Sequence, residues 1–425
     1  MTQTLTPAAG SPRTIAVIGG GVVGTAVALV LSTKGYQVKL FEQGDIGAGT
    51  SSGNAGGIVT GAVLPTATPG VLRAIPSYIF NPDSAAVLRP SYFLRILPWL
   101  LRFIAAGSPQ RVASIASALE PLVSRAMKAH LALTGISKAQ DRIDTVGWLK
   151  VYTSDASFAE TAFERELMRR HGVNFSVLNA EEIEALEPKL AKGVCKHGIF
   201  QPESGFVNFP KGLTQAYFEC AREHGTQHIR ETVQELRPSS AVNITVKTDR
   251  RTETFDAVVV AAGAWSKQFA RQCGDDVCLD TERGYHMSFR ANGKPLLTRP
   301  VSFPDQHFVL SPMHDGVSMV SGDELAGVDA PPDFRRIRRL VPAARRALPG
   351  IADAEVQREW MGYRPSTPDS LPVIGRSPHH RNVFYAFGHG HLGLTLSAIT
   401  AQLIGGLVAD DPVPFDMTPY RINRF

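Results

Sequence analysis

The feature that most restricts how this chain can fold is a short apolar run that meets three glycines. Thr14 to Ile18 read TIAVI, Gly19, Gly21 and Gly24 follow in the spacing GxGxxG, and TAVALVLSTKG then has the pattern of a helix. Strand, tight turn and helix in that order form a dinucleotide-binding unit. One glycine serves the turn, one admits a pyrophosphate to the backbone, and one lets the helix pack on the strand, while the helix start offers N–H groups to the anion. A second strand, QVKLFE, ends in Glu42, followed by Gln43. A carboxylate there accepts hydrogen bonds from a ribose diol and selects against a 2′-phosphate. The competing reading, a glycine-rich turn with Glu42 merely on the surface, leaves the shared register of these features unexplained.

The motif alone does not say which dinucleotide is bound. Residues Gly47 to Gly57, GAGTSSGNAGG, combine small residues, Gly56 among them, with Thr50, Ser51, Ser52 and Asn54. That composition suits backbone and hydroxyl contacts with phosphates and a flavin edge, and it also suits a plain glycine-rich loop. The segment resembles the D-amino acid oxidase superfamily of flavoproteins, and more narrowly its bacterial D-amino acid dehydrogenase branch, in which a similar small-residue NAG loop lies over the isoalloxazine. The resemblance covers nearly the whole chain, is strongest at residues 14–62 and 360–407, and is weakest across 63–200. It implies an α/β fold of glutathione-reductase type. A Rossmann-like FAD-binding domain would be built from residues 13–62, 202–275 and 355–425, and a discontinuous α+β substrate domain from 63–201 and 276–354. A length of 425 residues independently favours two connected domains.

Further landmarks follow along the chain. HIRETVQELRP reads as a strand, and the resemblance puts Val233 at the position that meets adenine through its backbone; a simple surface strand is the alternative. FDAVVVAAGAWS reads as a buried parallel strand that ends at Ala262 and Gly263 before a helix. GYRPSTPDSLPVIG resembles the superfamily segment whose arginine, here Arg364, clamps a substrate carboxylate, which a planar guanidinium grips with two parallel bonds. Without the motif, a surface ion pair would be the default for that arginine. In GHGHLGLT, Gly388, Gly390 and Gly393 free the backbone to approach a flavin, and an apolar helix opens near Leu394 and Thr395. Its N-terminal partial charge would favour an anionic reduced ring by about 0.3–2 kcal/mol. The superfamily's backbone carbonyl at His391 accepts the substrate amine, so the imidazole either enters the pocket or packs above it. His389 is expected to be a hydrogen-bonded structural histidine.

The resemblance implies an FAD-dependent dehydrogenase that oxidises the C–N bond of a D-amino acid, or of a secondary amine of the D-proline type, by hydride transfer. An oxygen-using glycine or sarcosine-type oxidase is the alternative. Tyr285, His286 and His307 are the further pocket candidates, with Phe308, although period-two alternation allows only one residue of each adjacent pair to face inward. No cysteine follows Cys278 and the NAG loop lacks histidine, so reversible, non-covalent FAD is expected, with no metal. Cys195, Cys220, Cys273 and Cys278 contain no CxxC pair, in keeping with a cytoplasmic protein. The net charge of +5 comes from scattered basic residues, which gives no case for nucleic acid. The apolar segment from Pro69 to Gly107, with Ile75, Tyr78, Ile79, Phe80 and YFLRILPWLLRFIAA, is either core helix or a contact with the inner face of the plasma membrane, where quinone or another respiratory-chain acceptor is within reach.

Overall fold

The computed structural model describes residues 14–72, 86–238, 243–290 and 295–425. The expected strand, turn and helix open it: β1 (Thr14–Ile18), α1 (Val22–Thr33) and β2 (Gln37–Phe41), with β2 parallel to β1. A Cβ on Gly24 would fall 1.9 Å from the Gly19 carbonyl oxygen, so helix and strand approach this closely only because the residue is glycine. β1 lies inside a six-stranded sheet with β10 (Gln227–Ile229), β14 (Ala257–Val260), β20 (Val373–Arg376) and β21 (Val383–Phe387), ordered β10-β2-β1-β14-β21-β20. Only β20 pairs antiparallel. β14 and β21, AVVV and VFYAF, are buried throughout, as strands covered on both faces must be.

One cover is helical. α1 packs against α7 (Pro210–Glu223) and α10 (Gly393–Val408), and α10 rests on α3 (Pro109–Ser137). The other cover is the antiparallel sheet of β11 (Val233–Pro238), β12 (Ile244–Thr248) and β13 (Thr252–Phe255), together with α8 (Ser266–Gln272). α10 is long and apolar enough to suggest a membrane crossing, but it is a buried core helix.

The second body is a nine-stranded sheet. It contains β6 (Trp148–Tyr152), β7 (Ser176–Asn179), β8 (His197–Gln201), β15 (Asp280–Arg290), β16 (Val301–Phe303), β17 (Phe308–Met313), β18 (Gly316–Leu325) and β19 (Val356–Ser366), with β4 (Ala86–Leu88) beside β18. α4 (Asp155–Ala159), α6 (Ala180–Leu186) and α9 (Arg335–Ala347) pack against it, and Lys150 ties α5 (Ala162–Arg170) to β6 through Glu164. A small sheet of β3 (Gly57–Ile58), β5 (Ile143–Asp144) and β9 (Gly205–Val207) joins the NAG loop to this body.

Several expectations change. HIRETVQELRP is two strands in two sheets. β10 stops where Glu42 N donates to the Ile229 carbonyl, and the chain then turns, with Glu231 N donating to the same oxygen, before β11 begins. β19, inside the expected FAD segment 355–425, pairs with β15 in the nine-stranded sheet. The basic residues are not merely scattered, since α9 carries six arginines. Arg335 and Arg338 pair with Asp333 and Glu359, Arg345 donates to the Ala354 carbonyl, and Arg336 and Arg339 are also engaged. In the apolar segment, Ile75, Tyr78, Ile79 and Phe80 lie outside the described residues. α2 (Phe93–Ala106) buries Ile96, Trp99, Leu100, Phe103 and Ala106 in the core, but Leu94 is 81% exposed and Leu101 59%.

Candidate active site

A cavity of about 1240 Å³ runs from the Gly19–Gly21 turn, past the NAG loop, to the faces of β15, β18 and β19. At the nucleotide end, Gly21 precedes α1 without a side-chain cap, and the first-turn N–H of Val22 donates to Ser51 Oγ at 2.9 Å. The Glu42 carboxylate is fixed by backbone, accepting from Gly20 N and Gly44 N at 2.9 Å each. Gln43, Val233, Ala262 and Gly263 line the same end.

The NAG loop is held from three sides. Thr50 Oγ1 donates to the Tyr363 carbonyl at 3.0 Å and accepts from Tyr363 N at 3.2 Å, which binds the loop to β19. Asn54 folds the loop on itself, with Nδ2 donating to Ser51 O and Oδ1 accepting from Gly56 N. Thr395 Oγ1 donates to Gly57 O at 3.0 Å and accepts from Val59 N, fastening the first turn of α10 beneath it. α10 starts at Gly393, following a 3-10 turn over Gly390–Leu392. Buried His130 steadies that turn from α3, with Nε2–H donating to the Leu394 carbonyl at 2.8 Å and Nδ1 accepting from Tyr217 OH. Burial holds His130 at about 4, so it stays neutral and can fill both roles. Of the expected cofactor residues, Gly24, Ser52 and Gly56 do not line the cavity. Ser52 bonds its own turn through Ala48 O and Gly49 O, and Gly24 and Gly56 lie where a Cβ would strike backbone carbonyls. A helix start preceded by glycine, a glycine turn with no room for a Cβ, a fixed acidic side chain and an elongated cavity fit FAD.

At the far end Arg364 projects from β19 across Gly284 of β15, where a Cβ would fall 2.3 Å from Nη2. The absence of a side chain on Gly284 therefore sets the guanidinium's path. Nη1 is anchored by the Gly322 carbonyl at 2.9 Å and by the Asp323 carboxylate. Among the described residues, Nε and Nη2 have no hydrogen-bond partner, and the residue faces the cavity. Glu282, the cross-strand partner of Arg364, also lines the cavity. It is buried, and it accepts a hydrogen bond from Ser366 Oγ at 3.0 Å. Trp360 forms another wall; its ring leaves no room for a Cβ at Gly53 or Gly362.

The remaining candidates separate. Tyr285 is a correction: it is fully buried in the core, with its OH donating to Glu324 at 2.6 Å and accepting from Asp333 N, and it does not line the cavity. His286 does not line it either. Its Nδ1–H donates to the Gly53 carbonyl at 3.1 Å and Nε2 accepts from Ser318 Oγ, and the ring meets Trp360 edge-on, so it props the loop and the wall from behind. His307 and Phe308 both border the cavity, because His307 sits in a left-handed turn (φ 61°) before β17 rather than in the alternating strand. His391 lines the cavity, where surrounding protein and, to a lesser degree, the Arg364 charge hold its imidazole below its usual value. His389 is buried and bonded to Thr400 Oγ1 at 3.0 Å.

Glu282, Asp323, Gly284 and Trp360 escaped the sequence reading. For Glu282 and Gly284 the available signal was DTERG, in which they alternate with Asp280 along a strand otherwise rich in buried side chains.

Comparison with known proteins gives the family. Residues 14–407 match the family described as DAO, FAD dependent oxidoreductase. A D-amino-acid oxidase of Bradyrhizobium diazoefficiens is 32% identical, covering 97% of this chain and 99% of the relative. A D-amino acid dehydrogenase of Paramagnetospirillum magneticum is 30% identical over 97% and 98%. The crystal structure of glycine oxidase from Geobacillus kaustophilus has the same fold, with a TM-score of 0.74 at 24% identity over 97% of this chain and 99% of that one. The family model spans residues 14–407 and the two relatives match nearly the full length of this chain, so the chain belongs to the FAD-dependent oxidoreductase family of D-amino acid oxidase type.

Proposed function

We propose that this enzyme oxidises the C–N bond of D-amino acids to imino acids, with the substrate carboxylate on the Nε–Nη2 edge of Arg364. The observation that carries the reading is the anchoring of Arg364, a residue that lines the cavity, through Nη1, which leaves Nε and Nη2 without a hydrogen-bond partner among the described residues. That edge grips a carboxylate bidentately and fixes the orientation of the α-carbon, and positioning of this kind supplies a large share of catalysis. Bound FAD supplies the hydride acceptor. The names of the two relatives at 32% and 30% identity support the substrate class. A carboxylate clamp makes no demand on amine substitution, so ring amines of the D-proline or hydroxyproline type belong in the same proposal. None of the four cysteines lines the cavity, which supports non-covalent FAD, and all four are free thiols, which supports a cytoplasmic, reducing setting.

We assign the electrons to quinone or another respiratory acceptor at the inner face of the plasma membrane. The support is the outer face of α2, where Phe93, Leu94, Leu101 and Ile104 are exposed beside Arg95 and Arg102, the composition of an interfacial helix. The protein is then expected to sediment with anionic phospholipid vesicles, and Leu94→Glu with Leu101→Glu to remain in the supernatant; equal sedimentation of both proteins removes the membrane part.

Anaerobic mixing with D-amino acids, D-prolines, their L-enantiomers, glycine and sarcosine tests the substrate class. D-enantiomers are expected to bleach the flavin, and a quinone analogue to reoxidise it faster than oxygen does. Bleaching by glycine or sarcosine alone, with hydrogen peroxide formed in air, identifies the oxidase alternative instead.

A further inference from the structure

We infer that Glu282 is the proton acceptor that converts the bound substrate's ammonium into the neutral amine from which hydride can leave; this rests on the D-amino acid reading above.

The placement follows from strand register. Glu282 and Arg364 are paired across β15 and β19, so their side chains leave the same face of the sheet, and both reach the cavity. The Arg364 guanidinium runs from this pair toward Gly284, whereas the Glu282 carboxylate is held on the other side by Ser366 Oγ at 3.0 Å. Ser366 bridges to His389 in an antiparallel pair, and a Cβ on Gly390 would fall 3.6 Å from Ser366 Oγ. Glu282 therefore stands between the carboxylate clamp and the Gly390 turn at the flavin end. A substrate gripped by Arg364 with its α-carbon toward the flavin has its nitrogen in this interval.

The groups around Glu282 suit the role. Burial is the main effect on its carboxyl, and Asp323 on β18 adds repulsion, opposed by Arg364 and the Ser366 hydrogen bond. Asp280, next along β15 and itself bonded to Tyr92, repels weakly. The balance raises the Glu282 carboxyl well above the usual carboxylate range, the direction a proton acceptor working near neutrality requires. His391, from the turn opposite, stays neutral in this range. The step is R–CH(NH3+)–COO− plus Glu282 carboxylate giving R–CH(NH2)–COO− plus Glu282 carboxylic acid. No oxidant enters, and the amine lone pair is then free to form the imine as hydride leaves.

The test is the pH profile of kcat/KM with D-alanine and with D-proline, from about pH 5.5 to about pH 10, for the holoenzyme, Glu282→Gln, Asp323→Asn and the double variant. The wild type is expected to rise tenfold per pH unit up to an ionisation near neutrality. Glu282→Gln should lose that limb, fall by about 10²-fold at neutral pH, and recover toward wild type as the free substrate amine deprotonates. Asp323→Asn should move the limb to lower pH only where Glu282 is present. Glu282→Asp retains a carboxylate and should keep a limb at a reduced rate, which separates proton transfer from lost packing. A neutral limb that persists in Glu282→Gln, or a deficit uniform across pH, overturns the inference while leaving the D-amino acid reading intact. Failure of every D-amino acid to bleach the wild-type flavin overturns both.

Discussion

Replacing Arg364 with alanine is expected to lower kcat/KM for D-amino acids by about 10³-fold, the loss of a charge-assisted bidentate contact worth about 3–5 kcal/mol. The effect should exceed that of an ordinary binding residue because of what remains. Asp323 loses its cation and its carboxylate is left to repel the incoming carboxylate, while Glu282, no longer held down by the guanidinium, becomes more readily protonated. Lysine should restore only part of the activity, since an ammonium is a point charge and cannot present two parallel donors. FAD content should be unchanged, because the guanidinium lies at the far end of the cavity from the glycine turn. Steady-state kinetics alongside the flavin-to-protein absorbance ratio check this. A variant that keeps wild-type kcat/KM would remove Arg364 from the mechanism.

The second large effect is expected at the opposite end. Gly19 has φ +111°, and a Cβ there would meet the Ala261 carbonyl oxygen at 2.4 Å. Gly19→Ala must therefore strain the turn or push β14 away from β1, at a cost of about 1–3 kcal/mol for the conformation before any clash. The displaced backbone would face the pyrophosphate of FAD held by this turn, so the protein should purify largely colourless, with FAD affinity reduced by at least about 10²-fold. Gly135→Ala serves as the control. It lies within α3 with nothing inside 4 Å of its Cβ, and alanine should leave flavin content unaltered and stabilise the helix by up to about 1 kcal/mol. Absorbance of the bound flavin and titration of the apoprotein with FAD distinguish the two variants.

How much of this was legible in the sequence depended on the distance over which each feature is specified. The glycine turn, the helix after it and Glu42 form within about thirty residues, so spacing alone defined them, and β1, α1 and β2 lie where the pattern put them. Arg364 was legible only through the resemblance of its surrounding motif. The substrate end was much less so, because Glu282, Asp323 and Arg364 come from three strands that meet by antiparallel register. Alternation shows that the residues of a strand divide between two faces, but not which face is inner. A register shift between Arg283 and Tyr285 compounds the problem at the position where the choice mattered. Tyr285 looked like a pocket residue and joined the core, whereas the neighbouring acid and glycine, the less conspicuous residues, reached the cavity. The break after Ile229 was hidden for a related reason. Neither glycine nor proline marks it, and it reflects the end of pairing with β2 rather than a local preference.

The central claim is that Arg364 selects substrates by their carboxylate. The most direct measurement is the anaerobic rate of flavin reduction by D-alanine and by its carboxamide, in the wild type and in Arg364→Ala. The wild type is expected to reduce about 10³-fold faster with the acid, and the variant to treat both compounds nearly alike. A variant that still prefers the acid as strongly as the wild type would contradict the account and place the carboxylate on another residue.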